Sequence, residues 1–228
     1  MSRNTQITTR RLVALALFAA LAYACTSLLH IKVMFLTFDA KDAVMAVAGM
    51  FFGPGAAMVL SLLVPTLELI TIGSDTGLYG FIMNVASSMA FSVTASVIYK
   101  YRKTLGGALF ALGTAIVSMT AFMMVMNLLV TPHFMGTTMG EVIALIPKLL
   151  LPFNLTKALL NAALVLVLYK PIATALRRTR LVQTATSAQA SYRFDRKTVL
   201  MLCLGLGLLI LSVLLFIFVL GGSFVLWE

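Results

Sequence analysis

Long apolar runs dominate the chain, and most approach the length a helix needs to cross a bilayer. A hydrocarbon core about 30 Å thick is spanned by about 20 apolar residues at 1.5 Å per residue. Such runs fall at Leu12–Leu29, Phe38–Phe52, Gly55–Ile72, Phe81–Tyr101, Leu105–Val130, Leu151–Ala175 and Val199–Leu220. The second is short, and only Gly53-Pro54-Gly55 separates it from the third. A Gly followed by a Pro ends one helix and starts the next, so these two runs read as a helical hairpin. With 61% hydrophobic and 11% charged residues among 228, the chain lacks the material for a water-facing surface, since soluble domains carry about 25% charged residues. The sequence therefore reads as an all-α polytopic membrane bundle. It divides into a six-helix domain over 1–178, a basic Thr/Ser/Ala/Gln-rich linker at 179–197, and an additional transmembrane helix within 198–228.

A net charge of +10 would point to nucleic acid in a soluble protein, but its distribution along these spans excludes that reading. If the N-terminus is cytoplasmic, 13 of the 17 Lys and Arg fall inside: Arg3, Arg10 and Arg11, then Lys100, Arg102 and Lys103, then the cluster from Lys170 to Lys197. Lys32, Lys41, Lys148 and Lys157 fall in or near outer segments. Of the acids, only Asp195 lies inside, whereas Asp39, Asp42, Glu68, Asp75, Glu141 and Glu228 lie outside. The inner face thus carries +12 and the outer face −2, the distribution expected of a multi-pass protein of the bacterial cell membrane. The N-terminus is expected in the cytoplasm and the C-terminus outside. A rival reading makes the first run a signal peptide cleaved after Ala22-Tyr23-Ala24. The run is long for that purpose, and Ala16, Ala20 and Ala24 recur on one helix face, as a packing surface would. The last span, with no embedded charge, reads as an accessory helix or anchor.

Polar residues inside a membrane mark function or helix contact. Asn154, Lys157 and Asn161 are spaced i, i+3 and i+7 and so share one helix face. Facing lipid, their amides would be left unsatisfied at a cost of several kcal/mol each, so the stripe is expected to face the bundle interior. Asn127 near the end of the fifth span, Asn84 at the start of the fourth, Glu68 near the end of the third, and the loop Ile31–Ala40 with Leu36, Thr37 and Phe38 all reach the same outer level. The inner halves carry almost nothing comparable, which describes a pocket open to the outside. Amides offer donors and acceptors, and Lys donates only. The set suits an uncharged planar ligand with alternating carbonyl and N–H groups, and suits an inorganic ion less well because carboxylates do not converge. Asn84 and Asn161 also read as helix–helix contacts, and Glu68 as an interfacial cap. The chain has no phosphate-binding GxxxxGK[ST] loop, no disulfide framework or metal spacing around Cys25 and Cys203, and no nucleophile–base pair. No catalytic residue, resident cofactor or metal is expected.

Four stretches carry a family resemblance: Leu36-Thr37-Phe38-Asp39-Ala40-Lys41-Asp42, Phe51-Phe52-Gly53-Pro54, Asn127 before Thr131-Pro132, and Leu151-Pro152-Phe153-Asn154-Leu155-Thr156-Lys157-Ala158. Over roughly residues 10–176, the chain resembles the substrate-binding S components of energy-coupling factor (ECF) vitamin transporters, and is most similar to the riboflavin-specific members. The resemblance implies a six-helix protein that binds one vitamin near the outer surface and docks on a transmembrane scaffold carrying two cytoplasmic ATPases. Toppling of the S component within the bilayer then delivers the substrate. It further implies that Asn127, Asn154 and Lys157 hydrogen-bond a flavin, that Leu36, Thr37 and Phe38 contact it, and that Ala16, Ala20 and Ala24 meet the scaffold. The final span lies beyond the usual six helices, and would obstruct docking if it packed on the first. The alternatives are an S component for another vitamin or precursor, and a non-transport membrane scaffold protein.

Overall fold

The computed structural model describes residues 3–28, 31–73, 76–178, 196–219 and 225–226. Most of the expected linker, together with His30, Asp75, Asp195, Trp227 and Glu228, lies outside them. The helices are α1 (Arg3–Leu28), α2 (Lys41–Phe52), α3 (Pro54–Thr71), α4 (Gly77–Tyr101), α5 (Leu105–Met135), α6 (Met139–Leu145), α7 (Leu151–Arg178) and α8 (Arg196–Val219). A π-helical turn, Ile146–Leu150, joins α6 to α7. Among the described residues, six helical stretches are long and apolar enough to cross a membrane: Thr9–Leu28, Pro54–Thr71, Gly77–Tyr101, Leu105–Met135, Met139–Leu176 and Thr198–Phe218.

The expected second span is the exception. At 12 residues, α2 is about 18 Å long and falls well short of a bilayer. Every residue from Lys41 to Met50 is buried, as befits a short helix enclosed on all sides by others. Phe38, Asp39 and Ala40, which lead into it, are also buried, so α2 starts inside the protein. Gly53, at φ 94°, stops α2, and Pro54 opens α3. The Arg11 guanidinium of α1 donates to the Phe52 carbonyl at 2.8 Å, satisfying an orphan acceptor at the helix end. Around α2, Phe18 and Ala22 of α1, Leu60 and Val64 of α3, Phe91 and Ala95 of α4, Met119 and Met123 of α5, and Ala158 and Val165 of α7 complete one apolar core.

Two further departures concern helix ends. The fifth helix runs through Pro132 to a left-handed Gly136 at φ 64° instead of stopping at Val130. Thr138 and Glu141 form a reciprocal capping box that starts α6 and extends the sixth span upstream of Leu151. The segment read as a loop at Ile31–Ala40 contains a β-hairpin, β1 (Ile31–Val33) with β2 (Leu36–Phe38), turned through Met34 at φ 55°. A third strand, β3 (Val225–Leu226), pairs antiparallel with the other edge of β1.

The half of the bundle away from the hairpin is less bare than the sequence implied. Ser88, Ser92 and Ser96 form a buried seam down α4, with Ser61 of α3 beside it. The Ser92 hydroxyl donates to the Ser88 carbonyl at 2.6 Å, Ser96 bonds the Ser92 carbonyl, and the Ser61 and Ser92 hydroxyls lie 2.9 Å apart. These small residues permit close packing. A Cβ on Gly49 of α2 would lie 1.9 Å from Ser96 Oγ and 2.8 Å from Ala57 Cβ. Gly49→Val is therefore expected to destabilise the protein by about 1–3 kcal/mol. Gly113→Ala, where nothing lies within 4 Å, should be neutral or slightly stabilising. Equilibrium unfolding in detergent compares the two.

Candidate functional site: a pocket floored by buried ion pairs

The fold draws one end of the bundle together through charge. Asp39, at the foot of the hairpin, holds the Lys157 ammonium of α7 at 2.9 Å and the Lys41 ammonium of α2 at 3.5 Å through the same Oδ2. Lys41 in turn meets Glu68 Oε2 of α3 at 2.5 Å, and Asn84 of α4 donates to that oxygen at 3.2 Å. The Lys157 ammonium also donates to the Thr37 carbonyl at 3.2 Å. Asn161 joins three elements: its Oδ1 accepts the Ala43 N–H at 2.8 Å, and its Nδ2 donates to the Asp39 and Lys157 carbonyls. Asp42 accepts from the Ser88 hydroxyl at 2.6 Å.

This arrangement corrects the sequence reading in two places. Asp39, Lys41 and Asp42 are not outer-surface charges, since each is at most 1% exposed. Carboxylates do converge here: Asp39, Asp42 and Glu68 face two ammonium groups, a formal balance of −1. Lysines occupy Asp39 and Glu68, and no cluster of His, Cys, Asp and Glu suited to a metal exists among the described residues. The cluster forms the floor of the site, and Asp39 Oδ1, Asp42 Oδ2 and Glu68 Oε1 are buried in it without a hydrogen-bond partner among the described residues.

Above it lies a small cavity of about 80 Å³ that opens at the hairpin end. Lys157, Asn154 and Phe153 of α7, Asn127 and Thr131 of α5, Asn84 and Met83 of α4, and Leu36 and Thr37 of the hairpin line it. Asn127 and Asn154 each donate one N–H to the carbonyl one turn back, at 2.7 and 2.8 Å, which fixes the amides against the wall. Phe35, Tyr79 and Phe134 also line the cavity at the hairpin end. Their ring centroids lie 5.2 Å apart for Phe35 and Phe134 and 6.5 Å apart for Tyr79 and Phe134.

Of the expected binding residues, Leu36, Thr37, Asn127, Asn154, Lys157 and Asn84 come together on this cavity. Phe38 stands behind the wall, edge-on to Phe153 at 6.0 Å. Glu68 and Asn161 belong to the floor, where they hold Lys41 and the start of α2. On α1, Ala16 and Ala20 are exposed and Ala24 is half-buried.

These features define a polytopic helical membrane protein with an open, polar-lined pocket at one end. Residues 10–173 match the family of ECF transporter substrate-specific components, and the chain belongs to that family. The fold is similar to that of the S component of a bacterial ECF transporter, with a TM-score of 0.64 and 23% identity over 75% of this chain and 99% of that one. No curated protein matches the chain. Members of this family are substrate-binding transport subunits, not enzymes, that work with an ECF scaffold and ATPase modules.

Removing one member of a buried ion pair strands its partner. Lys41→Met is expected to lower stability by about 3–5 kcal/mol, and the double variant Lys41→Met/Glu68→Gln to regain on the order of 1–3 kcal/mol. Equilibrium unfolding in detergent reads both.

Proposed function

We propose that this S component captures riboflavin at the outer face of the cell membrane for ATP-driven import by partner subunits. The observation that carries the reading is the pocket's chemistry. Three amides, Asn84, Asn127 and Asn154, and one ammonium converge on a cavity whose remaining walls include four aromatic and two Met side chains. Among the described residues, no carboxylate lines it. A flavin ring is planar and presents alternating carbonyl and N–H groups, so its edge suits Asn127 and Asn154 and its faces suit aromatic walls. The Lys157 ammonium adds a donor for a carbonyl or ribityl oxygen.

The hairpin end is the outer end in this reading, with the N-terminus cytoplasmic and the C-terminus outside. Arg11, Lys100, Arg102 and Lys103 then lie at the cytoplasmic end, as the positive-inside rule favours. The exposed Ala16–Ala20 stripe on α1, with exposed Leu12, Leu17 and Leu21 around it, supports the scaffold contact. Packing of α8 on α7, with Ala16 and Ala20 exposed, supports a docking face left free on α1.

Protein purified in detergent should be yellow and should quench added riboflavin fluorescence. A colourless preparation without quenching, or exclusive binding of another vitamin in a ligand screen, overturns the assignment. Asn127→Ala and Asn154→Ala should each weaken affinity about 3–10-fold with the fold intact, and Lys157→Ala about 10–100-fold. Unchanged affinity in all three would place the site elsewhere. Ala20→Trp should abolish co-purification of the scaffold subunit while leaving riboflavin affinity unaltered.

A further inference from the structure

The family match ends at residue 173, and α8 lies beyond it. This helix is attached at three heights. Near its start, Thr198 bonds the Lys170 ammonium of α7. In its middle, a Cβ on Gly205 would lie 2.9 Å from Val167 Cγ2 and 3.2 Å from the Ala163 carbonyl, so the two helices approach as closely as small residues allow. Near its end, the Phe216 ring packs on Phe38 of the hairpin, with centroids 5.2 Å apart. Phe38 meets Phe153, and Phe153 lines the pocket. A continuous aromatic path thus runs from α8 to the wall of the cavity.

Strand β3 lies at the same hairpin. Val225 and Leu226 pair with Lys32 and Ile31, and make β1 the central strand of the order β2-β1-β3. On the far edge, β2 carries Leu36 and Thr37 into the pocket. An isolated two-stranded hairpin is marginal, whereas a third strand and an apolar backing make it persist. Most of α8 faces outward, with Leu206, Ile210, Val213, Leu214 and Phe218 exposed. Its inward contacts fall on α7 and on the hairpin beside the pocket.

We infer that α8 is a strap on the binding hairpin: Phe216, acting through Phe38, together with strand β3 on β1, holds Leu36 and Thr37 over the pocket and slows ligand release. Phe216 is a positioning residue that touches the hairpin and not the ligand. Loss of its ring loosens the hairpin and raises the dissociation rate, with little effect on encounter, because affinity differences within one site reside mostly in dissociation.

Full-length protein carrying Phe216→Ala, Phe216→Leu or Phe218→Ala tests this, the last as a control on the exposed face of the same helix. Amide hydrogen exchange without ligand should quicken across Ile31–Phe38 in Phe216→Ala, less in Phe216→Leu, and not at all in Phe218→Ala. Riboflavin release, followed by fluorescence recovery, should quicken about 3–10-fold in Phe216→Ala. The release arm rests on the riboflavin reading, and the exchange arm does not. Failure of the wild-type protein to bind riboflavin would count against that reading alone. Hairpin exchange at the wild-type rate in folded Phe216→Ala or Phe216→Leu overturns the strap, as does equal quickening in Phe218→Ala. Release at the wild-type rate despite loosened exchange overturns its effect on binding.

Discussion

Asp39 sits between two lysines in the middle of an apolar bundle, and most of the architecture depends on that arrangement. Taking an ion out of water costs several kcal/mol even after relaxation, and the cost is offset only when every partner is in place. The hairpin, α2, α3, α4 and α7 each contribute a member to the cluster. A shift of the hairpin foot, α2, α3 or α7 separates an ammonium from its carboxylate, so these elements are tied to one another by charge. Lys157 belongs to both the floor and the pocket wall. The geometry offered to a ligand is therefore set by the same contacts that assemble the bundle.

Much of this was legible in the sequence. Run lengths and the Gly53-Pro54 break located the helices, and the i, i+3, i+7 spacing of Asn154, Lys157 and Asn161 identified the inward face of α7. The spacing did not divide labour along that face. Asn161 lies one turn below Lys157 and serves the backbone of α2, a partner 118 residues away in sequence. Asp39, Lys41 and Asp42 were misplaced because charges next to a loop resemble interfacial ones. Length held the missing signal: Ala43–Phe52 is too short to cross the bilayer, so the helix has to begin below the surface and take its charges with it.

Other features had little local signature. The hairpin turns through Met34-Phe35 and lacks the Asn-Gly or Asp-Gly pair that announces such turns. The serines of α4 look like weak helix formers in a one-dimensional reading. In the fold they form a seam that lets Gly49 of α2 reach Ser96, with hydroxyls bonded to carbonyls of their own helix. The role of α8 depends on contacts with residues more than 150 positions upstream, so its uniformly apolar sequence reads as an anchor.

The enclosure of α2 has a mechanical consequence. From Lys41 to Met50 the central helix is buried in protein, as a core helix of a soluble domain would be. Thickness mismatch and tilt act on a membrane protein through its lipid-facing hydrophobic surface. When such a body changes its angle to the bilayer, the energetic adjustment falls on that outer shell. The charged floor lies behind that shell, so a change of tilt reaches it only through the helices that surround it.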